Sequence, residues 1–127
     1  MITEDYVSFE TAKLLKEKGF NEGCRQYWYR CNFVFARSEI RNRELDNYED
    51  EGWAAPTLQM AIKWLREMGW FICIIPLAFY CGEKACAFGY NIWAGDNLEV
   101  GEFDTPKFRT YEDACEAAIK YCLEKLI

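Results

Sequence analysis

Gln26-Tyr27-Trp28-Tyr29-Arg30-Cys31-Asn32-Phe33-Val34-Phe35-Ala36 is where the apolar period of this chain changes to two. Tyr27, Tyr29, Cys31, Phe33 and Phe35 fall on one side, and Trp28, Arg30, Asn32, Val34 and Ala36 on the other. The run reads as one strand, or as two short strands with a turn near Asn32, and the odd-numbered face is expected to be buried. A sheet is therefore required between segments of helical period, which sets the class as α+β.

Upstream, Ser8 caps a first helix whose apolar side is Phe9, Ala12, Leu14 and Leu15. Lys13, Lys16, Glu17 and Lys18 form its wet side, and Gly19 supplies the stop, with Phe20 folding back on the last turn. Downstream, residues 38–52 break every period and read as a charged, exposed loop. Pro56-Thr57 then opens a second helix with Thr57 as cap. Its stripe is Leu58, Ala61, Ile62 and Leu65, widened by Met60, Trp64 and Met68, and Gly69 ends it. Such a broad apolar surface predicts cover on two sides.

Two β-rich runs follow, Trp70 to Tyr80 and Cys86 to Trp93, joined by a Gly-containing hairpin connection. Pro76 has no ladder donor, so its strand is expected to be an edge, bulged or broken there. A turn at Ala94-Gly95-Asp96-Asn97 leads to a short strand near Leu98 to Phe103. Thr110 to Ile127 closes the chain as an amphipathic helix with a Thr110/Asp113 capping box. Tyr111, Ala114, Cys115, Ala118, Ile119, Cys122, Leu123 and Leu126 make its stripe. Glu112, Glu116, Lys120 and Glu124 make its polar face, and the Glu116 to Lys120 spacing predicts an ion pair within the helix. The expected architecture is a single α+β domain over 1–127, with three helices packed on one face of a small antiparallel sheet of three to four strands.

At 127 residues, 51% apolar and 17% aromatic, the chain is long and greasy enough for one core and is not a disordered segment. Nine Phe, eight Tyr and five Trp exceed what such a core absorbs, which favours a contact face for a partner or a second copy. The net charge is −6, and residues 38–52 hold six acids against two bases. No basic stripe exists, which disfavours sequence-independent phosphate binding. The N-terminus is acidic with no apolar core, and the longest apolar run, Trp70 to Cys81, contains Pro76 and is too short for a span. Seven cysteines, odd in number and set in apolar patterns, read as reduced core residues of a cytoplasmic protein.

The chain contains no histidine, so the commonest general base and metal ligand is missing, and so is every Ser-His or Cys-His pair. No phosphate-cradling glycine motif occurs either. Cys81 and Cys86 flank a turn and Cys24 and Cys31 form a looser pair, but neither has the Cys-x-x-Cys spacing of a zinc knuckle. Glu49, Asp50 and Glu51 could form an acid set or a hard-cation site, yet like charges in a loop are usually solvated. The aromatic strand from Tyr27 to Phe35 could stack bases, but only Arg25, Arg30 and Arg37 stand near it to hold phosphates. Trp53, Trp70 and Trp93 are the aromatics placed nearest to a contact surface. No catalytic, cofactor-binding or metal residue is assigned, and no cofactor is expected.

Three stretches carry a resemblance. They are Val7 to Phe20 (VSFETAKLLKEKGF), Ala55 to Glu67 (APTLQMAIKWLRE) and Tyr111 to Glu124 (YEDACEAAIKYCLE). In them the chain resembles a family of short uncharacterised proteins carried by phages, prophages and mobile elements of gut anaerobic bacteria. The stretches cover about a third of the chain and are all helical, hence scaffold. The resemblance implies context, a bacterial or phage-encoded cytoplasmic accessory protein, and transfers no functional residue. The expected function is a non-enzymatic accessory or protein-interaction domain, with itself, a host protein or a phage protein as partner. The alternatives are a small enzyme using carboxylates and tyrosines, and a weak single-strand nucleic-acid binder.

Overall fold

The computed structural model of the chain describes residues 3–46, 52–78, 87–101 and 107–127. Among these, helix α1 is Phe9–Glu17, a short α2 is Asn42–Leu45, α3 is Leu58–Glu67 and α4 is Tyr111–Tyr121. The strands are β1 Cys24–Tyr29, β2 Asn32–Ile40, β3 Gly52–Ala54, β4 Trp70–Ala78, β5 Ala87–Ala94 and β6 Asn97–Val100. The fold is α+β with antiparallel sheets.

The helix ends follow from local chemistry. Ser8, Thr57 and Thr110 each accept the N–H of the residue three positions on, that of Thr11, Met60 and Asp113. Gly19 and Gly69 sit at φ +95° and +96°, where a Cβ is strained, and terminate α1 and α3. Behind Gly19 the N–H of Phe20 returns to the carbonyl of Leu15, and the Phe20 ring is buried. Past Tyr121 the chain widens into a π-type turn over Cys122–Leu126, with the N–H of Ile127 bonded to the Cys122 carbonyl.

The sheet differs from the single one expected. Two three-stranded antiparallel sheets form, β2-β1-β3 and β4-β5-β6. Within the first, a two-residue turn at Arg30 and Cys31 joins β1 to β2, with φ angles of 50° and 64° that are both left-handed. It reverses the chain, so the aromatic run is two strands with a turn beside Asn32, the second of the two expected forms, and the odd-numbered residues do not share one buried face. Trp28 stands opposite Phe33 and Tyr27 opposite Val34. Phe35, expected inside, is 69% exposed. β3 fills the other side of β1, with Trp53 opposite Trp28.

The segment expected to be a loop over 38–52 is in part regular. Residues 38–40 complete β2, Asn42–Leu45 make a helical turn and β3 starts at Gly52. Leu45 is fully buried over Gly52, where an added Cβ would lie 3.1 Å from Leu45 Cδ2. Glu49, Asp50 and Glu51 lie outside the described residues, as do Cys81 and Cys86.

One core joins all layers. α1 packs on β3 and α4, while α3 and α4 pack on each other and on the β4-β5-β6 sheet. Leu15, Leu65, Ile92, Ile119 and Leu123 are fully enclosed, each stabilising the fold by about 1.5–3 kcal/mol through burial. The α3 stripe of Leu58, Ala61, Ile62 and Leu65 is buried as expected. Met60 and Met68 are instead 38% and 43% exposed, so α3 is covered on one side. β4 is an edge strand and its register with β5 shifts just past the proline, between Pro76 and Ala78, as expected of a strand that carries Pro.

Candidate functional site

An open groove of about 470 Å³ lies where the segment before α1, the β1–β2 hairpin and the first turns of α3 and α4 meet. Tyr6, Trp28 and Phe33 give it an aromatic wall, and Val7 and Leu58 add aliphatic surface. The wall is built by cross-strand pairing, which sets the Trp28 and Phe33 rings 5.0 Å apart, with Tyr6 5.4 Å from Phe33. Trp28 is fixed from behind by its Nε1–H, which donates to the Val7 carbonyl, and by the edge of Phe9 at 5.9 Å. Phe33 continues outward to the exposed Phe35, ring to ring at 5.6 Å.

The rim is acidic. Asp5, Glu112, Asp113 and Glu116 line it, and no Lys or Arg does. Glu116 is held in place: its Oε1 accepts the Ser8 N–H at 3.0 Å and the Thr11 hydroxyl at 2.5 Å. A carboxylate there also suits the positive end of the α1 dipole. The carboxylates of Asp5, Glu112 and Asp113 have no basic partner among the described residues. Aromatic faces beside uncompensated carboxylates attract cations, the faces through their quadrupole and the carboxylates by charge.

The residues singled out in the sequence take other places. Trp53 is half-buried under Phe9, ring to ring at 4.9 Å, with Lys13 Nζ 5.7 Å above it. Trp70 packs on the core, and Trp93 is half-buried on the outer face of the β4-β5-β6 sheet. Lys120 does not pair with Glu116 but reaches α1, 3.0 Å from Glu10. The base-stacking platform is divided, because Trp28 and Phe33 share one face while Tyr27 faces away, and the charged residues that line the Trp28 and Phe33 face are acids.

Cys24, Cys115 and Cys122 are buried, as expected of core thiols, whereas Cys31 and Cys73 are exposed. Burial pushes the Cys24 thiol up to about 12, Cys115 to about 11 and Cys122 to about 12. Among the described residues no three Cys, Asp or Glu side chains converge into a metal-binding group. None of the described helices is long and apolar enough to cross a membrane.

Nothing in the sequence announces the groove, because Asp5 and Tyr6 meet Glu112, Asp113 and Glu116 only through the packing of α1 on α4. The surplus of aromatics was its one trace. No family model matches the chain, and neither a curated protein nor a solved structure is similar to it.

Proposed function

We infer that this is a non-enzymatic protein-binding domain whose groove receives a lysine- or arginine-bearing segment of a partner. One observation carries the reading: an aromatic wall and four carboxylates line the groove, and no Lys or Arg among the described residues lines it with them. A guanidinium laid on Trp28 or Phe33 can donate to Glu112 or Asp113 at the same time. Cys24, Cys115 and Cys122 are packing residues in this reading, since burial keeps their thiols protonated and makes them poor nucleophiles. A phosphate backbone would meet the acidic rim and be repelled.

The resemblance of the three helical stretches supplies the context we propose, an accessory protein of a phage or mobile element acting in the bacterial cytoplasm. The test is fluorescence anisotropy of a labelled arginine-glycine peptide titrated with the protein at low salt. Binding in the micromolar range is expected, weakened several-fold by Phe33→Ala and by Glu112→Gln. An aspartate-glycine peptide should show none. No anisotropy change with the arginine peptide at about 500 µM protein sinks the proposal, since a Kd near 1 mM corresponds to only about 4 kcal/mol.

A further inference from the structure

We propose that the outer edge of β4 is a self-association surface on which a second copy of this chain lays its own β4 antiparallel. The inference uses a face remote from the groove and does not depend on what the groove binds.

The edge follows from one pair of hydrogen bonds. Phe88 exchanges both its N–H and its C=O with Phe108 at 2.7 Å, so both groups point away from β4. Pro76, directly opposite Phe88, is therefore at a position that makes no bonds to β5. The register runs unbroken from Pro76 back to Trp70, so Ile74, Ile72 and Trp70 share that alternation. Their N–H and C=O groups, with the Pro76 carbonyl, point out of the sheet. No described residue bonds to them.

The other strand edges among the described residues carry protection that the Trp70 to Ile75 stretch of this one lacks. β2 holds Arg37 and Glu39, and its register slips against Cys24; β3 has three residues; β6 has four, including Glu99. β4 runs nine residues, WFICIIPLA, with no charge at all. Edges so long and apolar are pairing templates unless something blunts them, and among the described residues the devices that do so here, Pro76 and the register shift between Pro76 and Ala78, stand at the far end.

The occupant is a second copy for reasons of charge and symmetry. In a chain of net charge −6, two copies repel at most faces, but not where each presents a neutral strand. A two-fold axis makes the edge its own complement, because each copy offers the same three N–H donors and accepting carbonyls. The outer face adjoining it is apolar too: Phe71 pairs with Trp93 and Trp93 with Leu98, and Phe71 and Leu98 are 42% and 48% exposed.

A strand about 30 Å long and a sheet about 10 Å deep give roughly 300 Å² per copy. That is under half of the ~800 Å² per partner of a stable interface, so the dimer should be reversible, with a dissociation constant in the micromolar range.

Sedimentation velocity on the full chain, from about 5 to 500 µM, tests this around that range. The mass is expected to move from 15.0 kDa towards twice that value. Cys73 is exposed on the strand, so Cys73→Lys should fold normally and raise the dissociation constant at least tenfold. Phe35→Lys, on the other sheet, should leave it unchanged. Hydrogen exchange gives a second reading: the Trp70, Ile72 and Ile74 amides should become protected as concentration rises. A strict monomer at 500 µM overturns the proposal, and so does a dimer that ignores Cys73→Lys and leaves those amides unprotected. Glu112→Gln, which weakens peptide capture, should not alter the sedimentation, so the two surfaces fail separately.

Discussion

Thr11 and Glu116, 105 residues apart in the chain, share a hydrogen bond of 2.5 Å that joins α1 to α4. Thr11 is fully buried, and the same carboxylate oxygen accepts the Ser8 N–H. One acid thereby caps a helix on which it does not lie and forms part of the groove rim. Removing the hydroxyl by Thr11→Val keeps the shape and leaves Glu116 one donor short. We expect a loss of about 1.5–3 kcal/mol in urea unfolding, the range for hydrogen bonds to charged groups. Glu116→Gln keeps an acceptor and should cost less.

Asn42 is the second buried polar residue, 3% exposed. Its Nδ2 donates to the Phe20 carbonyl at 2.8 Å, and its Oδ1 accepts the Ala54 N–H at 2.7 Å. It fixes α2 between the end of α1 and β3. Asn42→Leu leaves both backbone groups unpaired, at about 1–3 kcal/mol each. A guanidinium melt should show this loss with an unchanged slope; a loss under about 0.5 kcal/mol, the size of an ordinary surface substitution, contradicts the assignment.

The buried thiols predict an alkaline limit to stability. Folding raises the Cys24 and Cys122 values from the ordinary 9.0 to about 12, chiefly by desolvation. The folded chain then holds protons that the unfolded chain releases above pH 9. Their stabilisation is complete below that pH and is lost progressively as pH rises from 9 towards 12. Thermal midpoints measured across that window should fall. At pH 8 a thiol reagent should modify the exposed Cys31 and Cys73 within seconds and leave Cys24, Cys115 and Cys122 untouched until unfolding.

Glu10 and Lys120 form the other link between α1 and α4, at 3.0 Å on an open surface. The lysine, through its hydrogen bond and its charge, lowers the Glu10 value below the usual 4.5, and the glutamate raises that of Lys120. An NMR titration of the Glu10 carboxyl should therefore give a midpoint below 4.5 that returns upward in Lys120→Ala or in high salt. The contribution to stability is present above the ordinary Glu value and lost as pH falls through the lowered one. Exposure keeps it small, so Lys120→Ala should barely move the melting temperature.

What the sequence determined by itself is what neighbours three or four residues apart can settle. Ser8, Thr57 and Thr110 start helices because their side chains reach N–H groups one turn away, and Gly19 and Gly69 stop them because φ near +95° suits glycine. The buried stripe of α3 and that of α4, apart from the 41% exposed Tyr111, were legible from this spacing, and the irregularity beside Pro76 from the proline itself. The sheets and the groove depended on packing between distant segments. The turn expected near Asn32 as one of two readings forms at Arg30 and Cys31, which take left-handed angles although neither is glycine or asparagine, and that reversal set Trp28 against Phe33. Glu116 left Lys120 for Thr11 because a buried hydroxyl beside a helix N-terminus holds a carboxylate better than an exposed lysine on the same helix does. Contacts between chain ends more than a hundred residues apart leave no period to read.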